Sequence, residues 1–250
     1  GADPGRIHHE GMVARVALEV AREQLADLVG ARPREVVFTS GATEAIATAH
    51  HGALTRDGAG DGVVASLVEH SAVREWAERG RFLPVGVDRL GRIDPDELLD
   101  RVDDTTAIVD VQWGNHEVGT LQPVAEIVER CRARGVLVHV DAAQAVGRVP
   151  VDFAALGADL LSLSGHKFGA PPGSGALLVR RGVRVPPLLL GGDQERARRA
   201  GMENVPAAAG LGAAAAELAT TLDDERATSL RLTDRIVDWA DRTDGVSVLG

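Results

Sequence analysis

Apolar and polar positions alternate along this chain in two rhythms. Residues 12–29 place Val13, Val16, Ala17, Val20, Ala21, Leu25 and Leu28 at the spacing of an amphipathic helix, with Gly30 and Pro33 as stop signals. Short runs rich in β-branched and apolar residues stand at 36–39, 63–68, 136–140 and 158–164, each with the length and character of a strand buried in a parallel sheet. Helical patterns lie between and after them. One over 127–134 closes on Gly135, one opens at Asp94 and Pro95, and an alanine-rich helix over 205–222 continues as a polar helical stretch to residue 241. Residues 57–62 read as a surface turn, and 246–249 read as a further strand. Strands alternating with helices predict an α/β domain of the doubly wound kind, a three-layer sandwich around a mostly parallel sheet.

In such sheets ligands sit beyond the carboxyl ends of the strands, and the residues found there are chemically particular. The run 136–140 ends in Asp141, with Gln144 three residues on. Asp141 either caps the next helix or presents a carboxylate to a ligand. The run 158–164 ends in Ser164, Gly165, His166 and Lys167, followed by a loop rich in glycine and proline. This setting presents an amine for Schiff-base chemistry, which needs a lysine that is not simply a solvated ammonium. After the run 36–39 come Gly41, for a tight turn, and then Ala42, Thr43 and Glu44, suited to a first helical turn whose N–H groups attract phosphate. The run 63–68 delivers Glu69 and His70, an imidazole able to stack on a ring, and 110–119 likewise ends a strand with polar groups and a glycine turn and offers Asn115 or His116 to the same cleft. An amine, a phosphate cradle, an acid for a ring nitrogen and a flat partner are the needs of pyridoxal phosphate.

These stretches resemble the class V, fold-type I pyridoxal phosphate enzymes, and among them the cysteine desulfurases of iron–sulfur assembly. The matching segments run from Phe38-Thr-Ser-Gly-Ala-Thr-Glu44 through Glu69-His-Ser-Ala-Val73, Gly114-Asn-His-Glu-Val-Gly119, His139-Val-Asp-Ala-Ala-Gln144 and Ser164-Gly-His-Lys167 to Gly191-Gly-Asp-Gln-Glu-Arg196. The resemblance implies that Lys167 is the Schiff-base lysine and proton shuttle, Asp141 the pyridinium partner and Gln144 a contact to the ring oxygen. His70 would stack on the ring as the second catalytic residue, His116 would stand at a ring-oxygen contact, and Ala42, Thr43, Ser164 and His166 would bind the phosphate. It further implies L-cysteine as substrate, L-alanine as product, a homodimer and a sulfur-acceptor protein. A carbon–sulfur lyase or aminotransferase-like enzyme needing no catalytic cysteine is the first alternative, and a non-catalytic scaffold of the same fold is the second.

The chain departs from the family pattern in places. The sulfur-accepting cysteine of the family would lie in a C-terminal part beyond residue 250, and the lone Cys131 sits in a helical pattern as a small buried hydrophobe. His116 stands where the family has a second asparagine, and Met202 where it has a threonine that reaches the partner subunit's phosphate. The expected division is a cofactor-binding large domain over 1–210 and the start of a largely missing small domain over 211–250.

Composition narrows the setting. A chain of 250 residues with 44% hydrophobic content can bury a sizeable core, and its formal charge of −10 argues against nucleic acid and anionic membranes as partners. One cysteine gives no disulfide framework, no metal-ligand spacing stands out, and no run reads as a membrane span or signal peptide, so the expected location is the cytoplasm.

Overall fold

The computed structural model describes residues 2–249. Its seven strands are β1 (Val36–Thr39), β2 (Gly62–Ser66), β3 (Arg81–Val85), β4 (Thr106–Gln112), β5 (Val138–Asp141), β6 (Leu160–Ser164) and β7 (Gly175–Val179). Eight helical segments accompany them: α1 (His9–Leu28), α2 (Ala42–Thr55), α3 (Ser71–Ala77), α4 (Pro95–Asp100), α5 (Val124–Ala133), α6 (Phe153–Leu156), α7 (Gln194–Ala197) and α8 (Val205–Asp241). The strands form one sheet in the order β1-β7-β6-β5-β4-β2-β3. β7 is antiparallel to both neighbours, and every other pairing is parallel.

Period-two alternation assigns the two faces. Val36, Phe38, Val109, Val111, Val138, Val140, Leu161 and Leu163 point into a core shared with Leu18 and Leu25 of α1, Leu98 of α4, Ile127 of α5 and Leu211 of α8. Val37, Val63, Ile108, Leu160, Leu177 and Val179 point the other way, onto Ala45, Ala49 and Ala53 of α2 and Ala77 of α3. The result is the expected three-layer α/β sandwich with a mostly parallel sheet. Local signals read from the sequence act as expected: Gly30 ends α1 at φ 59°, Asp94 caps α4 through the Asp96 N–H, and Gly135 follows α5 at φ 72°.

Several boundaries and elements differ. The run 63–68 stops pairing at Ser66, because Leu67 and Val68 turn the chain toward His70; the runs at 136 and 158 begin to pair only at Val138 and Leu160. Residues 246–249 form no strand, since none of the described strands lies beside them to complete a ladder. β3 and β7 were not expected. β3 is a half-exposed edge strand carrying Arg81 and Pro84, residues that weaken a strand pattern, and β7 begins in glycine directly after a glycine-rich loop.

The absence of an apolar span was also expected, and α8 corrects it: this helix is long and apolar enough, by length and composition, to cross a membrane. Its alanines supply that character, and they serve the core. Ala208, Leu211, Gly212, Ala215 and Leu218 are buried, and Gly212 lies so close to α1 that a Cβ there would stand 2.5 Å from the Ala21 Cα. The later part of α8 leaves Leu230, Ile236 and Trp239 exposed.

Candidate functional site

The carboxyl ends of β1, β6, β5, β4 and β2 open onto a cavity of about 390 Å³. Ala42, Thr43, His70, His116, Asp141, Gln144, Ser164, His166 and Lys167 all line it, together with Gln112 and Glu44. Register explains why positions so far apart in sequence meet. Gly175 of β7 pairs with Thr39 at the end of β1 and with Ser164 at the end of β6, so the turn after β1 and the lysine after β6 emerge side by side.

The turn after β1 is built on glycine. Gly41 has φ 155° and ψ −179°, a conformation that is essentially glycine-only, and a Cβ on Gly175 would come within 2.5 Å of the Gly41 Cα. Gly41 is also the N-cap of α2 and offers no capping side chain, so the N–H groups of the first turn lack that partner. Glu44 bonds back to the Ser40 N–H at 2.9 Å. Burial alone would push the Glu44 carboxyl up, but hydrogen bonds from Arg199 and Ser40 and the Arg199 charge hold it below the usual range.

Asp141 is buried at the end of β5, where its Oδ1 accepts the Ala143 N–H at 3.0 Å and the Ser162 hydroxyl at 3.2 Å. Both bonds fall on one oxygen, so the capping role leaves Oδ2 without a hydrogen bond among the described residues. Lys167 is half-buried in a 3-10 turn, Gly165–Lys167, whose carbonyl accepts from Arg148 at 3.3 Å. Ser164 Oγ lies 3.0 Å from His166 Nδ1. His70 caps α3, its Nδ1 accepting the Ala72 N–H at 3.1 Å, which leaves Nε2 to carry the proton of the neutral ring. Its ring meets that of His116 edge-on at 5.5 Å between centroids. Between the two polar residues of 115–116, His116 reaches the cavity, whereas Asn115 folds its own loop: its Oδ1 accepts the Glu117 and Val118 N–H groups and its amide donates to the Val68 carbonyl.

Three charged features were given no role from the sequence. Glu69 is buried behind His70 and accepts the Gln112 N–H at 2.8 Å, joining the ends of β2 and β4; burial pushes its carboxyl well above the usual range, and Oε2 has no partner. Glu195 lies in α7 and forms a two-pronged pair with the buried Arg22, at 2.8 and 2.7 Å, while also accepting the Phe38 N–H at 2.9 Å. Glu195, Arg196 and Ala197 have φ of 49°, 59° and 60°, a left-handed run that costs about 1–2 kcal/mol per residue.

The third feature is a sealed cluster beneath α2. Asp110 Oδ1 stands 2.7 Å from His139 Nδ1 and 3.1 Å from His50 Nε2, and all three side chains are fully buried. Burial alone would raise Asp110, yet the two histidines hold it at about 2. Their ligand-type atoms lie within 4.8 Å of one another, a grouping that no local spacing in the sequence announced. No cue could have paired His50 with Asp110 or Arg22 with Glu195, because each contact joins distant elements.

The model of the aminotransferase class-V family matches residues 3–250. The chain belongs to that family. Among its relatives, a cysteine desulfurase IscS from Methanosarcina thermophila is 43% identical over 245 residues, covering 94% of this chain and 60% of that protein. A solved NifS-like protein superposes with a TM-score of 0.91 at 33% identity, over 95% of this chain and 67% of that one. A structure of SspA in complex with cysteine gives 0.82 at 33% identity, over 86% and 64%. This class-V chain thus spans about 60% of the length of the curated relative it matches.

Proposed function

We propose that this class-V chain is the pyridoxal phosphate-binding core of a cysteine desulfurase, a transferase that converts L-cysteine to L-alanine and passes the sulfur to a thiolate as a persulfide. One observation carries the reading: a single cavity at the strand ends gathers a lysine, a buried carboxylate, an imidazole and an uncapped helix N-terminus. The donor set fits the cofactor. Backbone N–H groups of Ala42 and Thr43, with Ser164 and His166, suit a phosphate; Asp141 suits a protonated ring nitrogen; Gln144 and His116 suit a ring oxygen. When bound, the cofactor supplies an aldehyde for amino groups and an electron sink for a carbanion.

The residues of the chain do the rest. Lys167 holds the cofactor and then moves protons at the substrate Cα, for which a half-buried amine at the rim of a 3-10 turn is well placed. Asp141, fixed by Ala143 and Ser162, keeps a charge opposite the ring nitrogen. His70, held by its cap to α3, presents the ring face, and Glu69 behind it joins the two strand ends that carry His70 and His116. The likeness to desulfurases and to SspA in complex with cysteine supports L-cysteine as substrate. A homodimer, a sulfur-acceptor protein, a cytoplasmic location and the division at residue 210, which α8 crosses, belong to the same reading.

Cys131 is not the thiolate in this reading. It is fully buried in α5, and burial pushes its thiol up to about 11. The test is to load the protein with pyridoxal phosphate, reduce with borohydride and map the modified peptide. Modification of Lys167, the one lysine in the sequence, is the expected result, and label on the N-terminal amine alone, or no label, would sink the reading. Incubation with L-cysteine and an added thiol then separates chemistries: alanine with sulfide supports a desulfurase, and pyruvate with ammonia supports a carbon–sulfur lyase.

A further inference from the structure

Segment 191–204 does not line the cavity, yet it grips the anion cradle from behind at two points. At the first, Glu195 accepts the Phe38 N–H at 2.9 Å, next to the last residue of β1, and its partner Arg22 donates to the Val36 carbonyl at 2.9 Å, so the pair holds β1 at its start and near its end. At the second, Arg199 Nε lies 2.8 Å from Glu44 Oε1, in the first turn of α2. The left-handed run Glu195–Ala197 connects the two contacts. The cradle of Gly41, Ala42 and Thr43 therefore lies between two points fixed by one short segment.

The second contact also has an electrostatic consequence. Glu44 borders the same cavity as Ala42 and Thr43, and a carboxylate there repels any phosphate bound at those N–H groups. Arg199 is the cation paired with it, and the pair is only part-exposed, so its charges are screened less than those of a surface pair. Glu44 is nonetheless useful to the fold, because it closes the Ser40 N–H.

We propose that Glu195 and Arg199 are positioning residues for the phosphate: Glu195 pins the end of β1, and Arg199 cancels the Glu44 charge, so that segment 191–204 sets the affinity of the cradle for a dianion. This rests on the pyridoxal phosphate reading above. The phosphate group is what distinguishes two probes, pyridoxal phosphate and pyridoxal, and each is titrated into the protein and followed by its absorbance on binding.

Arg199→Gln is expected to weaken pyridoxal phosphate by about tenfold, the loss of one charge-assisted contact, and to leave pyridoxal within about twofold. Arg199→Lys, which keeps the charge, should restore most of the affinity. Adding Glu44→Gln to Arg199→Gln should recover it too, which a purely structural role of Arg199 would not produce. Glu195→Gln should show the same phosphate-selective loss. Equal loss of both probes in Arg199→Gln, or no recovery in the double variant, overturns the brace. Wild-type protein that binds neither probe overturns the cofactor reading along with it.

Discussion

Two groups of polar side chains hang from the same face of the same two strands. Gln112 and Asp141 end β4 and β5 and line the cavity, while Asp110 and His139 stand two residues earlier, paired with His50 in a sealed layer beneath α2. Two residues of strand are roughly 7 Å. Over that distance an aspartate changes from one that borders the cavity to one sealed against two histidines, its Oδ2 left without a partner among the described residues. The difference is one of depth, since both sites contain the residue types from which catalysts are made.

Substitutions can test whether that contrast is real. The largest effect is expected at the open site: Lys167→Ala should lower turnover by about 10²–10⁴-fold, the contribution of a positioned proton-transfer group, with the melting temperature almost unchanged. A large drop in melting temperature would show that Lys167 also belongs to the structure. At the sealed site the pattern should reverse. Asp110→Ala strands two buried histidines and should cost about 3–5 kcal/mol in denaturant unfolding, with ligand affinity of the folded fraction retained.

The same cluster should leave a mark on the acid limb. Asp110 is held at about 2, below the ordinary aspartate value of 3.8, so its contribution is fully present above that ordinary value and is lost as pH falls from near 4 toward 2. Stability of the wild type should therefore fall more steeply in this window than that of Asp110→Ala. Parallel slopes would refute the assignment of that charge to the folded state.

Smaller effects sharpen the comparison. Gly175→Ala places a methyl group 2.5 Å from the Gly41 Cα and should cost about 1–3 kcal/mol, with a further loss of pyridoxal phosphate affinity because the backbone that must yield is the cradle itself. Cys131→Ala, deep in the opposite face of the core, should cost only about 1 kcal/mol and leave activity unchanged; lost activity would return Cys131 to the chemistry.

The open site was far more legible in the sequence than the sealed one. Asp141, Ser164 and Lys167 each follow an apolar run, so a rule about strand ends found them without any knowledge of contacts. The strands themselves were legible where both faces are buried, as in 36–39, and illegible where an edge strand carries Arg81 and Pro84. His50 sits among alanines in α2, and Glu195, although it lies in the matching segment 191–196, has its partner Arg22 173 residues away; the sequence marks neither contact, because what fixes them is the packing of one layer on another. Residues 246–249 show the converse failure, an apolar alternation with no strand beside it to pair.

Gly175 pairs with Thr39 on one side and Ser164 on the other, and this gives the reversed strand a metric meaning. It works as the fixed jaw of a caliper. One jaw carries the helix terminus that would take an anion, and the other carries the amine, and strand registry fixes the two strand ends from which they leave. A slip of β7 by one residue would shift the two strand ends relative to each other, so the register of one reversed strand sets the distance between anion site and amine that a ligand must match.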